Sequence, residues 1–179
     1  MGSDTILTKT SLRRYEKTLD FIKSSAPQAN VILDLGIENP FSKILKDNQY
    51  QVYNTHGEDL DDIPESVMEF QGIELVTALE IFEHLLNPLS VLKCLPCDKL
   101  IASVPLSLWF AKAYKSKTDK RDRHFHEFED WQFDWLLEKA GWKIIASEKW
   151  TSPTGKIGLR PFLRKITPRY YIVYAERIK

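Results

Sequence analysis

The apolar residues of the chain fall into two rhythms. Across residues 11–25, Leu12, Tyr15, Leu19 and Ile22 stand at i, i+3, i+7 and i+10, the stripe of an amphipathic helix, and Pro27 stops it. Val31, Ile32 and Leu33 then form a continuous apolar run of the kind that suits a strand covered on both faces. Asp34 and Gly36 follow it, then a turn with Pro40, and then Phe41, Ile44 and Leu45 at helical spacing. Residues 50–54 alternate in character and predict a second strand, 55–64 a polar loop, and 73–79 a third strand. Residues 81–92 predict a helix in which Pro88 is tolerated only if it opens a helical turn.

The second half continues the alternation. Strands are predicted over 99–105, 142–150 and 170–178, with an irregular Pro/Gly/Arg-containing excursion over 152–168. Residues 130–140 predict a helix with Trp131, Trp135 and Leu136 on one side, ended by Gly141. Strands alternating with helices imply an α/β fold, a doubly wound and mostly parallel Rossmann-like sheet in one domain over 1–179. Its first half should be abbreviated. Only 43 positions separate Val31 from Glu74, too few for full-length strands with a complete crossover at each step.

Charge and composition narrow the function classes. No apolar stretch approaches the roughly 20 residues of a membrane helix, and the first ten residues lack the apolar core of a signal peptide. A cytoplasmic protein with no membrane partner is therefore expected. The 25 basic and 25 acidic residues cancel, which argues against general nucleic-acid binding, yet they are unevenly spread. Residues 47–92 hold ten acidic residues and no Lys or Arg, whereas 93–179 hold eighteen basic and ten acidic ones. A local basic contact with an anionic substrate stays open. Cys94 and Cys97 form a C-x-x-C without the second pair that a four-ligand zinc site needs, and they read as two thiols in a helix-to-strand turn.

Several side chains carry candidate chemistry. Glu80, Glu83 and His84 follow a strand tip in the pattern E-x-x-E-H. On a helical start they share a face, where they could gather a divalent cation, position a substrate, or simply suit a helix N-terminus. His84, His124 and His126 are candidate catalytic residues, because an imidazole titrates in the range needed to take a proton from a nucleophile. No metal is assigned. Arg121, Arg123, Arg160, Arg164, Lys165 and Arg169 suit either an anionic substrate group or solubility. Trp109, Phe110 and Tyr114 either roof a pocket or fill core, and 106–123, the longest irregular stretch, is expected to cover the substrate side.

The order of landmarks resembles the class I S-adenosylmethionine-dependent methyltransferases, particularly the small-molecule type that includes ubiquinone-pathway O-methyltransferases. The resemblance rests on VILDLG, on GIELVTALEIFEHLLNPLSVL, on KLIASVP and on HEFEDWQFDWLLEKAGWKI, and spans about residues 31–176. It implies a seven-stranded sheet with an antiparallel last strand, S-adenosylmethionine as cofactor and a small-molecule substrate. Carried over by position, it implies that Asp34 and Gly36 approach the methionine portion, Asn54 the ribose, Asp59 and Leu60 the adenine, and Leu79 and Glu80 the sulfonium. Two places depart from the family pattern. Ile37, Glu38, Asn39 and Pro40 stand where further glycines are usual, and Asn54 stands where an acidic residue usually grips both ribose hydroxyls. A degenerate domain of the same fold, acting as a binding or scaffold module, is the alternative, and the oligomeric state stays open.

Overall fold

The computed structural model describes residues 9–119, 122–153 and 156–178. Among them, six strands form one sheet in the order β2-β1-β3-β4-β6-β5. The strands are β1 (Val31–Asp34), β2 (Gln51–Asn54), β3 (Leu75–Leu79), β4 (Lys99–Pro105), β5 (Trp142–Thr151) and β6 (Pro168–Arg177). The first four are mutually parallel, and β6 runs antiparallel to both β4 and β5. The helices are α1 (Lys9–Ser25), α2 (Pro40–Asp47), α3 (Pro88–Cys94), α4 (Asp130–Lys139) and α5 (Leu159–Ile166).

Strand periodicity explains the layers. Ile32, Leu75, Ile101 and Ile172 point to one face, where Phe21 and Ile22 of α1 and Phe41 and Leu45 of α2 cover them. Their neighbours Leu33, Val76, Leu100, Ala102 and Val173 point to the other face, under Val91 and Leu92 of α3 and Phe133 and Leu137 of α4. Both faces are thus closed by helices, which is why β1 and β3 read as continuous apolar runs.

The abbreviated first half takes a definite form. Residues 55–74, between β2 and β3, contain only a 3-10 turn at Pro64–Glu69, so β2 is an edge strand and the sheet has six described strands where the resemblance implied seven. The predicted helix over 81–92 is split. Phe82–His84 is a 3-10 turn, Leu85 is extended, and α3 starts afresh at Pro88, whose ring fits the first helical position but cannot continue a helix through it.

Two further expectations are corrected. α4 buries Phe133 and Leu137, not the tryptophans: Trp131 and Trp135 lie exposed on its outer face with ring centres 4.8 Å apart. An i, i+4 pair is available on either face, and the smaller residues take the tight space over the sheet. The excursion over 152–168, expected to be irregular, contains α5, whose Leu159, Phe162, Leu163 and Ile166 have helical spacing although none of them is buried.

Candidate active site

β1 and β3 are adjacent, yet the chain leaves β1 toward β2 on one side and returns to β3 on the other. A crevice opens at their carboxyl ends at this reversal of strand order. It holds a cavity of about 470 Å³, within the usual range for small-molecule sites, lined on the sheet side by Asp34, Gly36, Leu79, Glu80 and Ser103. Arg14, Tyr15 and Thr18 of α1 form another wall, and Glu83, His84, Asp122 and His124 the outer end.

Asp34 anchors the crevice floor. It is buried, and its carboxylate accepts from Thr77 Oγ1 at 2.7 Å, Ser42 Oγ at 2.8 Å, Asn39 Nδ2 at 3.3 Å and Asn54 Nδ2 at 3.4 Å. Burial pushes its pKa up, and these four donors oppose the shift. The loop that replaces the usual glycines is a helix cap. Asn39 Oδ1 accepts the backbone N–H groups of Phe41 and Ser42, Ser42 Oγ returns a bond to the Asn39 N–H, and Pro40 occupies the first helical position. Ser42 Oγ thereby uses all its capacity, donating to Asp34 and accepting from Asn39 and Asn54.

Charge is concentrated at the tip of β3. Glu80 adopts a positive φ of 59°, a strained conformation for a residue with a side chain, and its backbone N–H is held by the Ser103 carbonyl at 2.9 Å. Its carboxylate takes Arg14 Nη1 at 3.4 Å and Ser103 Oγ at 3.3 Å. Burial raises its pKa, with Arg14 and Ser103 pulling the other way. Glu83 is 1% exposed, and its Oε2 has no hydrogen-bond partner. Burial, and then the nearby charge of Glu80, push its pKa well above the carboxylate range.

The predicted trio of Glu80, Glu83 and His84 is regrouped. With Glu80 engaged by Arg14, the donor atoms of Glu83, His84 and His124 are the ones that lie within 4.8 Å of one another. His84 Nδ1 sits 3.0 Å from the Arg123 carbonyl, so Nδ1–H donates there, and Nε2 lies 3.8 Å from Glu83 Oε1. His124 stacks edge-on against His84 and beneath Tyr114. Burial first, then His84 and Arg169, lower its pKa and favour the neutral base. These three donors could hold a cation only after closing to the roughly 3.3 Å separations of a four-coordinate site. As they stand, they set a buried acid beside two imidazoles, of which His124 is the one held toward the neutral base.

The remaining sequence candidates lie elsewhere. Asn54 does not line the cavity, because its amide turns inward onto the Asp34 carbonyl at 3.2 Å and the Gly36 carbonyl at 3.3 Å. Asp59 is exposed and caps the Asp61 N–H, Leu60 is buried in core, and His126 stacks on Phe128 outside the cavity with Nε2 3.4 Å from the Leu86 carbonyl. Arg121 lies outside the described residues. Of the segment 106–123, Asp122 lines the first cavity, and Tyr114, Lys115, Ser116, Lys117 and Arg123 line a second cavity of about 460 Å³ together with His124 and Phe125. Trp109 points to solvent. Cys94 and Cys97 are free thiols in the helix-to-strand turn. Arg14, Tyr15 and Ser103 were missed by sequence reasoning. The Arg14–Glu80 pair joins residues 66 positions apart, which no local pattern signals.

No protein-family model matches the sequence, and no curated protein matches it. Solved structures do resemble the fold. An S-adenosylmethionine-dependent methyltransferase from Archaeoglobus fulgidus superposes with a TM-score of 0.54 at 14% identity, over 94% of this chain and 95% of that one. The magnesium protoporphyrin IX methyltransferase of Synechocystis PCC 6803, solved with S-adenosylhomocysteine bound, gives 0.59 at 13% identity, over 99% and 89%. The chain has the class I methyltransferase fold. That fold also carries other chemistry: the [4+2]-cyclase SpnF matches with a TM-score of 0.54 at 11% identity, over 91% of this chain and 80% of that one.

Proposed function

We propose that the protein is an S-adenosylmethionine-dependent methyltransferase acting on a small molecule in the cytoplasm. The observation that carries this reading is the cavity at the reversal point of the sheet, with one cation and one carboxylate, Arg14 and Glu80, set 3.4 Å apart in its wall. That pair suits the carboxylate and ammonium of an amino-acid moiety, and Gly36 brings uncluttered backbone to the same wall. The cofactor would supply an electrophilic methyl group. The protein's own residues would align an acceptor against it at the Glu83, His84 and His124 end, with neutral His124 taking the acceptor's proton where one must leave.

A degenerate domain of the same fold, which no longer binds the cofactor and serves as a partner or scaffold module, is the second reading. The full internal satisfaction of Asp34 and the inward turn of Asn54 favour it, since neither group is spare for a ligand. Thermal unfolding with and without S-adenosylmethionine separates the two. A ligand at about 100 times its dissociation constant stabilises by roughly 2.7 kcal/mol, which for this chain length is a rise of roughly 5 to 11 °C. No shift at millimolar cofactor, together with no heat in a calorimetric titration, overturns the methyltransferase reading.

A further inference from the structure

α5 inverts the usual arrangement of a surface helix. Leu159, Phe162 and Ile166 recur at i, i+3 and i+7 and form one stripe, yet they are 76%, 57% and 61% exposed, and Ile157 just before them is fully exposed. Arg160 and Lys165 flank the stripe on either side. From Lys149 to Ala175 the sequence has six basic residues and no acidic one. We propose that α5 docks the protein on an anionic lipid surface, with the apolar stripe entering the headgroup boundary and Arg160, Lys165 and Lys156 meeting lipid phosphates.

The charge pattern selects this occupant. A second copy of the chain on the same face would bring Arg160 and Lys165 of both copies together around a stripe only about 12 Å long, too small an apolar area to offset the repulsion. A short apolar stripe framed by Lys and Arg is what an interfacial helix requires: apolar area for the acyl boundary, and long cationic side chains that reach back to headgroups. The expectation of no membrane partner rested on spanning segments. No helix among the described residues is long and apolar enough to cross a membrane, but a helix lying in the interface needs neither property. Arg169, three residues beyond α5, donates to the Leu106 carbonyl at 2.6 Å and so ties the chain leaving the helix to the end of β4.

Sedimentation of the full chain with phosphatidylcholine vesicles, with and without phosphatidylglycerol, tests this in the absence of any cofactor, so its outcome is independent of the transferase reading. The protein should sediment with the anionic vesicles and be released by salt. Arg160→Gln with Lys165→Gln should weaken partitioning by roughly 30-fold, and Phe162→Ser with Ile166→Ser by at least about tenfold. The same charge change at exposed Lys139 and Lys143 should leave it at the parent level. All these side chains lie outside the core, so the melting midpoint should not move. No sedimentation with anionic vesicles, equal sedimentation of parent and α5 variants, or a solution dimer that the apolar variant dissociates would each overturn the proposal.

Discussion

Asn54 Nδ2 lies 3.4 Å from Asp34 Oδ2 and 3.2 Å from the Asp34 carbonyl, so a side-chain amide at the tip of β2 acts as a donor to the tip of β1. The same nitrogen reaches the Gly36 carbonyl and Ser42 Oγ. An aspartate at this place could donate to none of the four and would set a second carboxylate against a buried one. The departure at position 54 and the carboxylate at position 34 are therefore one arrangement. Asn54→Asp should destabilise the fold by about 1 to 3 kcal/mol at neutral pH. That corresponds to a fall of roughly 2 to 12 °C in melting midpoint, and the loss should shrink at acid pH as one carboxyl of the pair takes a proton. A midpoint that stays put at both pH values counts against the arrangement.

Gly36, in the loop after β1, and Gly57, in the loop after β2, differ in a measurable way. At Gly36, φ is +100° and the nearest atom to an added Cβ is Ile81 Cδ1 at 3.5 Å, an ordinary contact, so alanine there pays backbone strain alone. At Gly57, φ is +89° and Ile37 Cγ2 would lie at 2.9 Å, so alanine pays strain and also displaces a side chain. The strain costs about 1 to 2 kcal/mol in each case. Chemical denaturation should rank Gly57→Ala as the less stable variant. The reverse order contradicts the close approach of the Ile37 side chain to Gly57.

Arg14 is the one described cation paired with Glu80, and it sits on a helix whose other half is anchored in the core by Phe21 and Ile22. Arg14→Gln leaves Glu80 with Ser103 as its only neutral partner and removes the positive member of the cavity wall. On the proposed function, cofactor affinity should fall by about tenfold, the size of one lost charge-assisted hydrogen bond. Calorimetric titration measures it. An unchanged dissociation constant would mean that the cofactor's carboxylate lies elsewhere.

What the sequence could tell followed from the range of the interactions involved. Strand runs, the Pro88 restart and the Gly141 stop are local, and the 43 positions between Val31 and Glu74 correctly signalled a shortened half, because chain length limits crossovers whatever the packing. The face that α4 buries was misread, since Trp131/Trp135 and Phe133/Leu137 have the same spacing and only the packing of the helix on the sheet decides between them. At the site, Glu83, His84 and His124 were all visible as chemistry, but their grouping was not. The cover segment folds back so that the N–H groups of Phe125 and His126 bond the Glu83 carbonyl, at 2.8 and 3.2 Å, and that long-range pairing delivers His124.

Glu83 offers the sharpest test of the site's electrostatics. Its carboxyl is buried with one oxygen unpartnered, and its pKa is raised well above the carboxylate range by burial first and Glu80 second. In the folded state it therefore holds a proton at pH values where the unfolded chain has released it. Stability from this group is complete below the unfolded value near 4.3 and is lost as pH rises toward the folded pKa. Each unit of separation costs about 1.4 kcal/mol of stability at high pH. Glu83→Gln reproduces the shape of the neutral acid but cannot ionise. It should leave the melting midpoint near that of the parent at pH 5 and raise it at pH 8, flattening the decline of stability with pH. Asp34, also raised by burial, contributes a slope of the same sign in parent and variant alike, so the difference between them isolates Glu83. If the variant is instead less stable at pH 8, the carboxylate is ionised and paired there, and the neutral buried acid beside His84 and His124 is ruled out.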